Sequence, residues 1–191
     1  MNVLCAFESS GSLRNAFTLL GHNAWSCDVV KTSSPGQHYV GDVFDLCDSY
    51  WDLVFAFPPC TYLAKAQMFR YHNNIIRSFL RDNALNLVST LYNSFSRIAI
   101  ENPAGYLNNH WKAPSQILHP WYFGDPYNKD ICLWLKDCPP VIATKYSVLR
   151  KSVSNHVNSR MSQAHKSIVK SSWSYYPEMC KAIAEQYSTL L

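Results

Sequence analysis

The chain has 191 residues, of which 48% are hydrophobic and 16% charged. That is room for one α/β domain with a sizeable core. No apolar stretch approaches the ~20 residues that span a bilayer. The apolar start, Met1 to Phe7, is too short and lacks the basic flank of a signal peptide. Seven cysteines, an odd count with no CxxC pair, argue against a disulfide framework and for a reducing, intracellular setting. The seven histidines show no zinc-type spacing, so no metal is expected.

The net charge of +4 is unevenly placed. From Cys138 to Pro177 there is no Asp or Glu, while Lys145, Arg150, Lys151, Arg160, Lys166 and Lys170 all fall there. A basic segment on an otherwise slightly acidic chain suits a polyanion partner, and equally suits a solvated loop.

In chain order, Val3 to Phe7 reads as a buried parallel strand. Ser9-Ser10-Gly11-Ser12 is a turn, with Ser10 or Ser12 able to cap a helix from Leu13 to Leu20 that stops at Gly21. Ala24 to Val30 is a second strand. Tyr39-Val40 leads into Gly41-Asp42-Val43. Trp51 to Phe57 is a continuous apolar strand stopped by Pro58-Pro59. A long helix fits Asn74 to Asn93, with Ile76, Phe79, Leu80, Ala84, Leu87, Val88 and Leu91 on one face. Arg97 to Ile100 is the next strand, followed by Glu101-Asn102-Pro103. Prolines punctuate the rest, apart from a strand at Ile131 to Leu135 and a final helix from Pro177 that carries Cys180, Ile183, Ala184 and Tyr187 on one side. The alternation predicts an α/β fold with a doubly wound, mostly parallel sheet. Ligands of such sheets bind at the carboxyl ends of the strands. The turn after Phe7, Asp28, Pro58-Pro59-Cys60 and Glu101-Asn102 all belong to that edge.

Three features there carry chemistry. The small residues after Phe7 let a backbone approach a ligand, although an ordinary β–α turn looks the same. Two prolines hold Cys60 at a strand end, where a thiol is either a nucleophile or a half-buried structural cysteine. Glu101, closing an apolar strand, sits where partial burial raises a carboxyl pKa and suits it to donate or share a proton, although it could equally cap a helix.

In this order the features resemble the DNA cytosine-5 methyltransferases, the small phage-type members most of all. The specific part is Pro58-Pro59-Cys60 followed by Glu101-Asn102, with 41 residues from Cys60 to Glu101. The likeness runs from Val3 to Pro103 and resumes in 119–126, in 132–135 and in the closing helix. It implies a Rossmann-like fold that uses S-adenosylmethionine, in a single catalytic domain over 1–191. Residues 104–176 would form a reduced, irregular substrate side without a full target recognition domain. By the same likeness, Phe7, Glu8, Ser9, Gly11, Asp28, Asp42 and Pro58 would bind the cofactor, with Asp45 a rival to Asp42. Cys60 would attack carbon 6 of a flipped-out cytosine, and Glu101 would bond ring nitrogen 3. Pro59, Asn102 and Arg160 would meet the substrate; Arg160, near Gln163, stands in for the family's Gln-x-Arg-x-Arg strand. The partner would be DNA, in duplex form, held at its phosphates by 145–170. Trp111, Trp121 and Trp173 are stacking candidates that more commonly serve as packing. Sequence reading, if any, would come from a second subunit or a homodimer. The setting would be the cytoplasm, a host's if the chain is phage-encoded. Two other readings stay open: a non-catalytic module binding DNA, cofactor or a host protein, and a pyrimidine methyltransferase acting on RNA or another substrate.

Overall fold

The computed structural model describes residues 1–65, 74–152 and 172–190. Among these, the strands are β1 (Asn2–Ala6), β2 (Asn23–Asp28), β3 (His38–Val40), β4 (Leu53–Ala56), β5 (Ile98–Asn102), β6 (Gln116–Leu118), β7 (Tyr127–Asn128), β8 (Ile131–Lys136) and β9 (Lys151–Ser152). The helices are α1 (Ser12–Leu19), α2 (Ile75–Ser94), α3 (Tyr106–His110) and α4 (Pro177–Leu190). Seven strands form one sheet in the order β3-β2-β1-β4-β5-β8-β6, and β7 pairs with β9 apart from it. Every pairing from β3 to β5 is parallel, and β8 runs antiparallel to both of its neighbours. This is a mixed α/β architecture with a mostly parallel sheet, compatible with a Rossmann-like fold.

Side chains alternate across the pleat, so adjacent residues of one strand feed two different cores. Val3, Cys5, Leu53, Phe55 and Ala99 pack with Leu13 and Phe17 of α1 and with Met179, Ile183 and Tyr187 of α4. Leu4, Ala6, Val54, Ala56, Ile98 and Ile100 pack with Val88 and Leu91 of α2. The chain winds outward from the centre in two directions, β1 to β3 one way and β4 to β5 the other. Right-handed crossovers then put α1 and α2 on opposite faces. The reversal lies between β1 and β4, where such sheets open a crevice at their carboxyl ends.

The expected helix at Asn74 to Asn93 forms with Asn74 as its cap, accepting from the Arg77 N–H at 3.0 Å. Its apolar face is buried only toward the far end. Ile76 and Phe79 are exposed. The start of α1 also differs from expectation. Its cap residue is Gly11, at φ 68°, with no side chain to cap; Ser10 Oγ accepts from the first helix amide, Ser12 N–H, at 3.3 Å, and the next two amides, Leu13 and Arg14, are left to another group. Glu8 takes both from outside the helix, because a buried carboxylate satisfies two donors where a hydroxyl satisfies one. The expected irregular region 104–176 contributes β6 and β8 to the sheet.

Candidate functional site at the carboxyl edge

The carboxyl ends of β1 to β5 and the start of β8 lie on one edge, and they carry most of the residues singled out by sequence. At β1 the chain leaves through Phe7, a non-glycine residue at φ 58°. Backbone held in that region is strained and clusters at functional turns. Glu8 follows and is fully buried. Its carboxylate accepts from the Leu13 N–H at 2.7 Å and the Arg14 N–H at 3.2 Å, and Ser10 donates to it at 3.3 Å. Burial pushes its pKa up, against the pull of those bonds. Glu8 therefore forms the floor of the turn and has no open face for a ligand. Ser9 and Gly11 complete the turn. A Cβ on Gly11 would collide with the Arg14 guanidinium.

Arg14 is the residue that sequence reading missed here. It is fully buried, and its guanidinium bonds Ser26 Oγ at 2.8 Å, Ser34 Oγ at 2.8 Å and the Pro35 carbonyl at 2.7 Å. It pins the loop after β2 against α1. A lone arginine in an amphipathic helix pattern gives no sign of this.

Asp28 ends β2, half-buried, with one oxygen accepting from the Val30 N–H at 3.3 Å. Asp42 caps a short 3-10 turn by accepting from the Phe44 N–H at 3.1 Å, and Asp45 accepts from the Tyr39 hydroxyl at 2.9 Å. These three carboxylates gather around Cys27. Burial first and then their charges push its thiol up to about 12. The end of β2 is thus an acidic lip suited to hydroxyl and amino groups. The N-terminus of α1, where a dinucleotide's pyrophosphate would sit, is already filled by Glu8. Ser10 and Glu8 take the amides of Ser12, Leu13 and Arg14 that a phosphate would need.

Beyond β4, Pro58 and Pro59 lead to Cys60, which is exposed. Asn102 reaches across from β5 and donates to the Pro58 carbonyl at 3.0 Å. The chain just after Cys60 is clasped to the chain just after β5. Lys65 N–H donates to the Ala104 carbonyl at 3.1 Å, and Tyr106 N–H donates to that of Leu63 at 2.7 Å. Gly105 is required at this clasp, because a Cβ there would strike the Leu63 carbonyl.

Glu101 lies within β5 and is 7% exposed. Its Oε1 accepts no hydrogen bond, and the Lys129 Nζ stands 4.0 Å from it. Burial raises its pKa, with smaller offsets from Lys129 and the Trp173 side chain. Cys60 senses the same surroundings. Although the residue is exposed, partial desolvation by the neighbouring chain raises its thiol pKa, the Glu101 charge raises it further, and Lys129 pulls it back. Cys60, Glu101 and Lys129 therefore form one electrostatic cluster. Lys129, between β7 and β8, was not singled out by sequence. Its only signal was a cation preceding a strand that returns to the Glu101 edge.

Of the remaining expectations, Trp173 is buried against Phe55 and Phe57, with ring centroids 5.5 and 4.8 Å away, and serves as core. Trp111 packs on Tyr92 and Trp134. Arg160, Gln163 and most of the 145–170 segment lie outside the described residues. A surface cleft lined by Trp51, Asp52, Ser94, Arg97 and Asp137 lies at the opposite edge, away from this cluster. No helix among the described residues is long and apolar enough to cross a membrane. No family model and no curated protein matches the chain.

Proposed function

We propose that the chain transfers a methyl group from S-adenosylmethionine to carbon 5 of a cytosine flipped out of DNA, through a transient bond from Cys60 to carbon 6. The observation that carries this reading is that the proline-held loop bearing Cys60 after β4 is clasped by hydrogen bonds to the chain at the end of β5, where the carboxyl of Glu101 is buried. The thiol and the carboxyl are both tied to Lys129, and Asn102 joins the two loops. The Rossmann-like methyltransferase fold is part of the same proposal, supported by the reversal of winding between β1 and β4. Phe7, Ser9, Gly11, Asp28, Asp42 and Pro58 would hold the cofactor, which supplies an electrophilic methyl group on a sulfonium. Glu8 would act through the turn that it floors.

The elevated pKa of Glu101 has a use. While the carboxyl keeps its proton it donates to ring nitrogen 3, drawing electrons from carbon 6. The carboxylate charge that opposes ionisation of Cys60 is then absent, so the same proton eases formation of the thiolate. The Cys60 thiolate, its proton given up to solvent, would add to carbon 6, and the electron pair released onto carbon 5 would take the methyl group from the sulfonium, whose methyl–sulfur bond breaks to leave a neutral thioether. Loss of the carbon 5 proton to solvent then expels the thiolate and restores the ring. Pro59 and Asn102 fix the loop that aims the sulfur.

One observation favours a second reading. The Cys60 thiol lies above its ordinary value in the free protein, which suits a non-catalytic module that binds DNA, cofactor or a host protein. Labelled cofactor with unmethylated DNA separates the two. The proposal expects label in DNA with the wild-type chain and none with Cys60→Ser. Cofactor binding without transfer selects the module, and label in RNA alone changes the substrate.

A further inference from the structure

β6 runs in the same direction as β5, so its carboxyl end opens on the same edge as Cys60 and Glu101. The chain there is His119-Pro120-Trp121-Tyr122. The Trp121 and Tyr122 rings meet at 4.5 Å, and His119 stacks beside Trp121 at 6.0 Å. The strap 141–152 folds back over this turn, with Ser147 N–H donating to the Trp121 carbonyl at 2.8 Å and Lys151 N–H to that of Pro126 at 2.8 Å. The strap brings Tyr146, 64% exposed, to 5.5 Å from the Trp121 ring. It also lays the exposed Arg150 guanidinium over that ring at 4.0 Å. Lys145 and Lys151 flank it, both exposed. The facing carboxylates are few. Asp130 bridges His119 at 3.4 Å, Asp125 is buried as the cap of α4, and Glu178 lies by Gly124.

We infer that this platform of Tyr146, Trp121 and Arg150 holds unpaired DNA nucleotides flanking the target base. Aromatic faces interleaved with cations bind single strands by stacking and by phosphate neutralisation. A duplex buries its base faces and offers them nothing to stack on, so the partner departs from the duplex expected from sequence: the target cytosine would be met in an unpaired stretch instead of being flipped from a helix. Three strand spacings of ~4.8 Å separate β4 from β6, so the platform stands about 14 Å from the Cys60 loop. That is a reach of a few nucleotides along the edge, on the side away from the cofactor residues. The inference rests on the proposed function for the target's position.

The test is binding, which needs no methyl transfer. Fluorescence anisotropy would compare the full chain on a labelled single-stranded oligodeoxynucleotide, its duplex and the RNA of the same sequence. The single DNA strand should bind about tenfold more tightly than the duplex. Tyr146→Ala and Arg150→Ala should each weaken single-strand binding about tenfold. Arg150→Ala should also flatten the salt dependence by ~0.7 in slope, which Arg150→Lys should keep. Quenching of tryptophan emission in the unmutated protein by single strand, and not by duplex, gives a readout independent of variant folding. Equal or tighter duplex binding, tighter RNA binding, variants that bind as wild type, or absent quenching would each overturn the inference. If methyl transfer occurs with the platform silent, the platform alone fails. If the platform binds and no transfer is seen, the enzymatic reading alone fails.

Discussion

Replacing Glu101 by Gln should make the protein more stable at neutral pH while abolishing its activity. The Glu101 carboxyl is buried, one of its oxygens accepts no hydrogen bond, and its cation stands 4.0 Å away. Burying a carboxylate with an unmet oxygen carries a charge-desolvation penalty of at least ~1–3 kcal/mol, which a neutral amide largely escapes although it still presents a polar group. The Glu101→Gln change removes the charge at nearly the same volume. The ion pair lost is long, at 4.0 Å, and the Lys129 side chain, 24% exposed, keeps some contact with water, so its loss should offset about 1 kcal/mol of that gain. The net gain should be about 1–2 kcal/mol, or ~2–8 °C in Tm for a chain of this size. The sign against pH is fixed by the direction of the shift. The folded pKa lies above the unfolded one, so the folded state binds the proton more tightly. Below the unfolded value the acid is neutral in both states and imposes no charge penalty. As pH rises through that value toward the folded one, the wild type loses stability, and Glu101→Gln does not. Urea denaturation of both proteins from pH 4 to 8 measures the difference, which should grow with pH and then level. A variant less stable at pH 7.5, or a difference that does not change with pH, would refute the account of this carboxyl.

Three other outcomes are expected. Glu8→Ala should cost about 2–4 kcal/mol in urea denaturation, because it strands the Leu13 and Arg14 amides in a buried helix start. Lys129→Gln should lower kcat ~10-fold and move the thiol limb of the pH–rate profile to higher pH, since Lys129 favours the Cys60 thiolate; Lys129→Arg should restore much of the rate. Asp28→Asn should weaken S-adenosylmethionine binding ~10-fold by calorimetry, with Tm nearly unchanged because the carboxylate makes one local bond at the surface.

Much of the sheet was legible because a parallel strand buried on both faces leaves a short continuous apolar run, as at Val3, Val54 and Ile98. The edge positions of Cys60 and Glu101 followed from where those runs stop. Other parts depend on contacts that no local pattern encodes. The burial of Arg14 comes from carbonyls and hydroxyls of the loop around Ser34. Glu8 looks like a ligand residue in the sequence, and becomes a cap only when α1 folds back over it. β6 has three residues between Pro114 and Pro120, too few for periodicity to show. Lys129 joins the site because β8 turns back beside β5. Ile76 and Phe79 share the apolar face of α2 but are exposed, because helical spacing tells which residues share a face and not which of them a neighbour covers.

The central claim is that Cys60 bonds covalently to a cytosine of DNA. The most direct measurement is mass spectrometry of the chain after reaction with S-adenosylmethionine and an oligonucleotide containing 5-fluorocytosine, whose fluorine blocks the final elimination. The account predicts one stable protein–DNA adduct, mapped to the peptide carrying Cys60 and lost in Cys60→Ser. No adduct, or an adduct on another thiol such as Cys47 or Cys138, would contradict it.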